Sequence, residues 1–400
     1  MKNGFKKVSA MALAAAMILS MTACGGSKTT ETTAAETKAA ETTAAESKAE
    51  ETKAAEAEPA KEADGEKLKL TLCIGRKNDL SFQQSAYEGA MRVQEELGDK
   101  DEVNVVEMGD DTTKWQAAFY DAADGGADII VGTGFQNKEN FETIPQEYPD
   151  TKFILFDQDV DYSVGDLENV MGVLFDSNQS GFLAGAVAAY YTVSDNAANT
   201  DKTVGFVGGV ESTTINNFLV GFAEGMHYVD PEAKLLTAFV GDFMDTAKAK
   251  DLANAQISEG ADIIFQVAGG AGNGVIEAAA EKDGVMAIGV DSDQYKTLEG
   301  TNLQSSVITS SLKRLDNALF KICSDYAKDP ESVPFGETAT YGLEDEAVGI
   351  VFNENLTNSI GEENVAKVEE ILSKIQIGEI VVSEAAKLSA DEIAAIVNNN

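Results

Sequence analysis

The sequence predicts an α/β protein made of two similar lobes, each a parallel sheet covered by helices, joined by a hinge. Two observations carry that expectation. From residue 68 onward, short apolar stretches alternate with segments whose apolar residues recur at three- and four-residue spacing, the pattern of strands alternating with amphipathic helices. The pentapeptide Gly126-Ala127-Asp128-Ile129-Ile130 then returns as Gly260-Ala261-Asp262-Ile263-Ile264, each copy closing a helical pattern and entering a strand. A recurrence so far apart points to two related lobes and not to a solenoid, although the same junction also suits unrelated helix-to-strand turns.

Taken in order, strands are expected at 68–74, 103–108, 128–131, 153–156 and 170–175, then at 203–207, 235–240, 262–267, 285–290 and 305–308. Helical spacing is clearest at 84–97 and 216–228. The ligand-binding body is expected over 67–400, with lobe 1 at about 67–175 plus later crossover segments and lobe 2 at about 176–310. In open parallel sheets ligands sit beyond the C-terminal strand ends, so two facing lobes would aim those ends into one cleft.

The N-terminus predicts where the body works. Lys2, Lys6 and Lys7 precede a short apolar run from Val8 to Leu19, and Met21-Thr22-Ala23-Cys24 follows at once. That order reads as a secretory signal over 1–24 ending at a lipid-modified Cys24, since the run is shorter than the roughly 20 residues a bilayer-spanning helix needs. The expected location is the extracytoplasmic face of the cell membrane, with acyl chains on Cys24 as the anchor. Residues 25–66 are almost all Ser, Thr, Ala, Glu and Lys, and without aromatic or branched aliphatic side chains to bury they predict a disordered tether reaching roughly 35 Å.

A formal net charge of −38 argues against nucleic acid as a partner, because a phosphate backbone would be repelled. With Cys24 taken by lipid, Cys73 and Cys323 read as buried thiols, a bridge between them being the alternative. His227 is the one histidine, which disfavours His-based metal sites and Ser-His-Asp catalysis. Asp157, Asp159 and Asp161 imitate calcium-loop spacing, but Tyr162 stands where the turn needs glycine, so no metal is expected.

The turn Ala268-Gly269-Gly270-Ala271-Gly272-Asn273-Gly274, with Asp291 about twenty residues on, is a poor dinucleotide fingerprint because Val275 replaces its third glycine. No cofactor is therefore expected, yet exposed amides and a carboxylate suit a sugar. Phe82, after the first strand, and Phe243, after a strand of the second half, are placed to hold a planar ring from two sides.

These residues resemble the basic membrane lipoprotein family, substrate-binding proteins of ABC importers that include purine nucleoside receptors. The carriers are Asp79-Leu80-Ser81-Phe82 with Ala86-Tyr87-Glu88-Gly89, Tyr148-Pro149-Asp150, Phe182-Leu183-Ala184-Gly185 and Val204-Gly205-Phe206-Val207-Gly208-Gly209. They continue with Phe265-Gln266-Val267-Ala268-Gly269-Gly270 and Ile288-Gly289-Val290-Asp291-Ser292-Asp293-Gln294. The resemblance implies the type I periplasmic-binding-protein fold of two Rossmann-like lobes.

It also implies that Phe82 and Phe243 stack on the base and Asp157 bonds its edge. Asp291 and Lys313 would hold the ribose hydroxyls with backbone groups at Gly269 and Gly270, and Asp79 would support the first-lobe side. Leu80 and Gln83 depart from the family pattern, which commonly has a polar residue and an asparagine there.

The expected function is a monomeric, non-enzymatic receptor that binds a nucleoside, purine preferred, and passes it to an ABC permease driven by its ATPase. The alternatives are a receptor for a free sugar or other small metabolite, an exported nucleoside hydrolase using Asp157 or Asp291, and a surface sensor or adhesin.

Overall fold

The structure, a computed structural model, describes residues 68–97 and 102–399; the expected signal segment, Cys24 and the 25–66 tether lie outside the described residues. Its strands are β1 (Lys69–Ile74), β2 (Glu102–Glu107), β3 (Ile129–Thr133), β4 (Lys152–Phe156), β5 (Val170–Phe175) and β6 (Thr203–Gly208). They continue as β7 (Lys234–Phe239), β8 (Ala261–Val267), β9 (Met286–Asp291), β10 (Val307–Lys313), β11 (Thr338–Tyr341) and β12 (Val348–Ile350). They form two six-stranded sheets, ordered β11-β5-β4-β3-β1-β2 and β12-β10-β9-β8-β6-β7. Apart from the antiparallel β10–β12 edge, the strands of both sheets pair in parallel.

The two orders repeat one plan, with β1 to β5 answered by β6 to β10. The recurring pentapeptide marks equivalent places in that plan: Gly126 and Gly260, both at positive φ, turn the chain into β3 and β8, the strands beside the switch in each order. All seven residues of β8 and five of six in β1 are buried, as expected for parallel strands covered on both faces.

Three strands depart from the expectation. β10 runs Val307–Lys313, not 305–308, because it continues through buried polar residues: Thr309 Oγ1 donates to the Val351 carbonyl at 2.6 Å, and Ser310 Oγ accepts from the Gln294 amide at 3.1 Å. Apolar periodicity cannot register such a segment. β11 and β12 are short edge strands of four and three residues, below the length at which alternation is visible.

The helix Ser177–Tyr191 leaves the first sheet after β5 and packs against β10 and β12 of the second. It lies so close to helix Thr213–Val229 that a Cβ at Gly185 would overlap the Phe222 carbonyl oxygen, and one at Gly225 would overlap that of Phe182. Cys73 is a buried thiol on β1, not bridged to Cys323, and burial pushes it up to about 12.

The repeated aspartates differ in their surroundings. Asp128 Oδ2 accepts from the Lys69 amide at 2.7 Å, whereas Asp262 is fully buried, with Thr192 Oγ1 donating to Oδ2 at 3.1 Å and Oδ1 unpartnered. Burial raises Asp262 to about 6. A folded value above the unfolded one means stability is greatest below about pH 4 and falls as pH rises toward 6. Asp262→Asn is therefore expected to be more stable than wild type by about 2 kcal/mol at neutral pH. The difference should vanish near about pH 4. Urea titrations at both pH values check this; equal stability at neutral pH would contradict it.

Candidate ligand-binding cleft

The C-terminal strand ends of both sheets face a cleft of about 700 Å³. The loop after β1 brings Asp79 and the start of helix Phe82–Glu96; β4 leads into Asp157; β7 leads into Asp242-Phe243; β8 leads into Gly269-Gly270; and β9 and β10 end at Asp291 and Lys313. All eight residues singled out in the sequence, Asp79, Phe82, Asp157, Phe243, Gly269, Gly270, Asp291 and Lys313, line it.

At its base, a charge cluster joins the two halves. Lys313 Nζ lies 2.7 Å from Asp157 Oδ2 and 3.4 Å from Asp291 Oδ1. Asp157 and Asp291 occupy equivalent places, at the ends of β4 and β9, and both adopt left-handed backbone, with φ of 67° and 64°. Short polar residues tolerate that conformation better than most, and such strain concentrates where a side chain must be aimed at a site. Ser81 Oγ donates to Asp291 Oδ2, whereas Asp291 Oδ1, though near the ammonium, is buried without a hydrogen-bonded donor. Asp291 Oδ1 is thus held by the Lys313 ammonium alone.

Burial works against the Lys313 charge, but Asp157 and Asp291 outweigh it and raise its pKa. Burial raises Asp157 as well, with Lys313 partly offsetting it. Asp79 accepts from the backbone amides of Ser81, Gln83 and Gln84 at 2.9–3.0 Å, so it caps the first turn of helix Phe82–Glu96, and burial still raises its pKa. Three carboxylates against one ammonium leave the base of the cleft acidic.

The aromatic walls are set by their neighbours. Lys313 Nζ sits 4.5 Å from the Phe82 ring centroid. Phe243 fits only because Gly209 carries no side chain; a Cβ there would overlap the ring. Sequence reasoning missed Phe135, which lines the cleft 6.5 Å from Phe243 by ring centroids, as well as Trp115 and Phe218. Phe135 stands just beyond β3 after Gly134, so applying the strand-end rule to β3 would have found it. Gln83 accepts at Oε1 from the Gly75 amide at 3.3 Å and from Thr133 Oγ1 at 3.1 Å.

The family model described as ABC transporter substrate-binding protein PnrA-like matches residues 70–386, which span both sheets and every cleft residue named above. The chain belongs to this Bmp family. Among its relatives, the CD4+ T-cell-stimulating antigen of Listeria monocytogenes is 32% identical over 329 residues, covering 78% of this chain and 86% of that protein. The ABC transporter nucleoside-binding protein BmpA of Lactococcus lactis subsp. cremoris is 31% identical over 296 residues, covering 71% and 80%.

A crystallised ABC transporter solute-binding protein from Aeropyrum pernix K1 superposes with a TM-score of 0.68 at 24% identity, covering 83% of this chain and 99% of that one, which shows the type I periplasmic-binding fold. As a Bmp family member the chain is a substrate-binding protein of an ABC transporter, a role that implies permease and ATPase partners.

Proposed function

We propose that this protein is a lipid-anchored, extracytoplasmic receptor that closes on a nucleoside, purine preferred, and delivers it to an ABC permease. The observation that carries the proposal is the Asp157–Lys313–Asp291 cluster, drawn from both halves, with Phe82 and Phe243 on the same cleft. Neighbouring ribose hydroxyls would donate to Asp291 and accept from Lys313, while the rings take the faces of the base. Each stacked face contributes about 1–3 kcal/mol. The acidic base of the cleft favours neutral ligands rich in donors and works against phosphate esters, since the rim cations Arg76 and Lys77 are already paired with Asp110 and Glu107. The nucleoside-binding relative from Lactococcus supports the same ligand class.

Delivery needs proximity to the permease, which a Cys24 anchor and the 25–66 tether would provide for a monomeric body over 67–400. No helix among the described residues is long and apolar enough to cross a membrane. The carboxylates would also suit a free sugar, but the cleft aromatics favour a ligand with a planar ring.

A thermal-shift series separates the readings, because a ligand that binds only the folded state raises its stability by mass action. Guanosine and inosine are expected to raise the melting temperature, with ribose, hypoxanthine and guanosine monophosphate each giving much less. Ribose matching inosine would overturn the nucleoside reading in favour of a sugar receptor, and release of free base during incubation would make the protein a hydrolase.

A further inference from the structure

Behind the cleft wall a second set of contacts joins the halves without passing through the ligand cavity. The loop Asn78–Ser81 holds two residues at positive φ, Asn78 at 74° and Leu80 at 61°. For Leu80 that backbone is costly, and glycine or asparagine would adopt it more easily. The strained geometry turns the Leu80 side chain against an apolar cluster of the second half, formed by Ile276, Ala279, Val285, Ala287, Leu298 and Val307. The Leu80 carbonyl accepts from Ser292 Oγ at 2.9 Å and from Gln294 Nε2 at 3.0 Å.

Gln294 is fully buried and held in place, its Oε1 accepting from the Val290 amide at 3.0 Å and from Gln266 Nε2 at 2.6 Å. If the halves part here, Gln294 Nε2 loses its acceptor and the Leu80 side chain enters water, and both changes oppose opening. None of Leu80, Ser292 and Gln294 lines the cleft.

We propose that Leu80 is a positioning residue for closure: an apolar peg that ties the two lobes directly, shifts the open–closed balance toward closed, and so lengthens the residence time of the bound ligand. A contact present only in the closed state adds its free energy to closure whether or not ligand is present, so its loss appears mainly in dissociation.

The test compares Leu80→Asn, which keeps the left-handed backbone but removes the apolar side chain, with Leu80→Met, which keeps apolar bulk. Ser292→Ala is a milder variant that removes one donor to the Leu80 carbonyl. Small-angle scattering reads the dimensions of each protein with and without guanosine, and stopped flow reads the guanosine rates.

For Leu80→Asn the expected results are a larger radius of gyration without ligand, recovery of wild-type dimensions at saturation, and a dissociation rate raised about tenfold with association little changed. Leu80→Met should stay near wild type, and Ser292→Ala should shift the same quantities in the same direction by less. Unchanged dimensions and dissociation in Leu80→Asn, or equal effects of Asn and Met, would overturn the proposal. The kinetic arm rests on the nucleoside reading above; the ligand-free scattering arm does not, so failure of one is distinguishable from failure of the other.

Discussion

Asp291→Ala is expected to lower guanosine affinity by roughly two orders of magnitude or more while leaving the protein folded. The side chain offers one oxygen bonded by Ser81 and one facing only the Lys313 ammonium at 3.4 Å, so a bound hydroxyl that reaches it gains a charge-assisted bond that nothing else in the cleft replaces. Bonds to charged groups are worth about 1.5–3 kcal/mol each, and the variant also leaves Lys313 without its second counter-ion. Folding should survive because Lys313 keeps Asp157 at 2.7 Å. Phe243→Ala should cost less, about 1–3 kcal/mol, because one stacked face is lost while the polar contacts remain. Calorimetric titration of both variants with guanosine checks the order; unchanged affinity in Asp291→Ala would remove it from the site.

Lys313→Met should have the larger effect on stability, a loss of about 3–5 kcal/mol, because breaking a buried ion pair strands its partner charges. Lys313 is 3% exposed and faces both Asp157 and Asp291, so the variant buries two carboxylates with no cation between them. The pH dependence follows from the sign of the shift. Asp157 already has a raised pKa in the folded protein, and removing Lys313 raises it further. A carboxyl with a raised folded pKa favours the fold at low pH and loses that contribution as pH rises, so the deficit of the variant should grow from acid to neutral pH. Urea unfolding of wild type and Lys313→Met across that range reads it directly; a deficit independent of pH would show that lost packing, not stranded charge, is responsible.

Much of the architecture was legible because parallel strands buried on both faces leave nearly continuous apolar runs, as in β1, β3 and β8, and because the repeated pentapeptide marks equivalent turns. β10 was cut short because Thr309, Ser310 and Ser311 are buried but polar, the first two hydrogen-bonded to Val351 and Gln294, and show no hydropathy signal. That truncation had a consequence for the site: Lys313 fell outside any strand the pattern predicted, and only the family resemblance pointed to it.

The strand-end aspartates were visible as residues, but their shared left-handed backbone and their convergence on one lysine are tertiary facts. Phe135 escaped because one aromatic in a single short turn of helix just beyond β3 carries no periodicity. Leu80 was visible as an apolar residue in a polar loop, while its contact with a cluster far away in sequence was not.

The central claim is that one nucleoside spans the aromatic walls and the charge cluster of this cleft. A crystal structure of the protein grown with guanosine tests it most directly. It should show the base between Phe82 and Phe243 and the ribose hydroxyls within hydrogen-bonding distance of Asp291 and Lys313. Guanosine bound elsewhere, or bound in the cleft with its ribose turned away from Asp291 and Lys313, would contradict it.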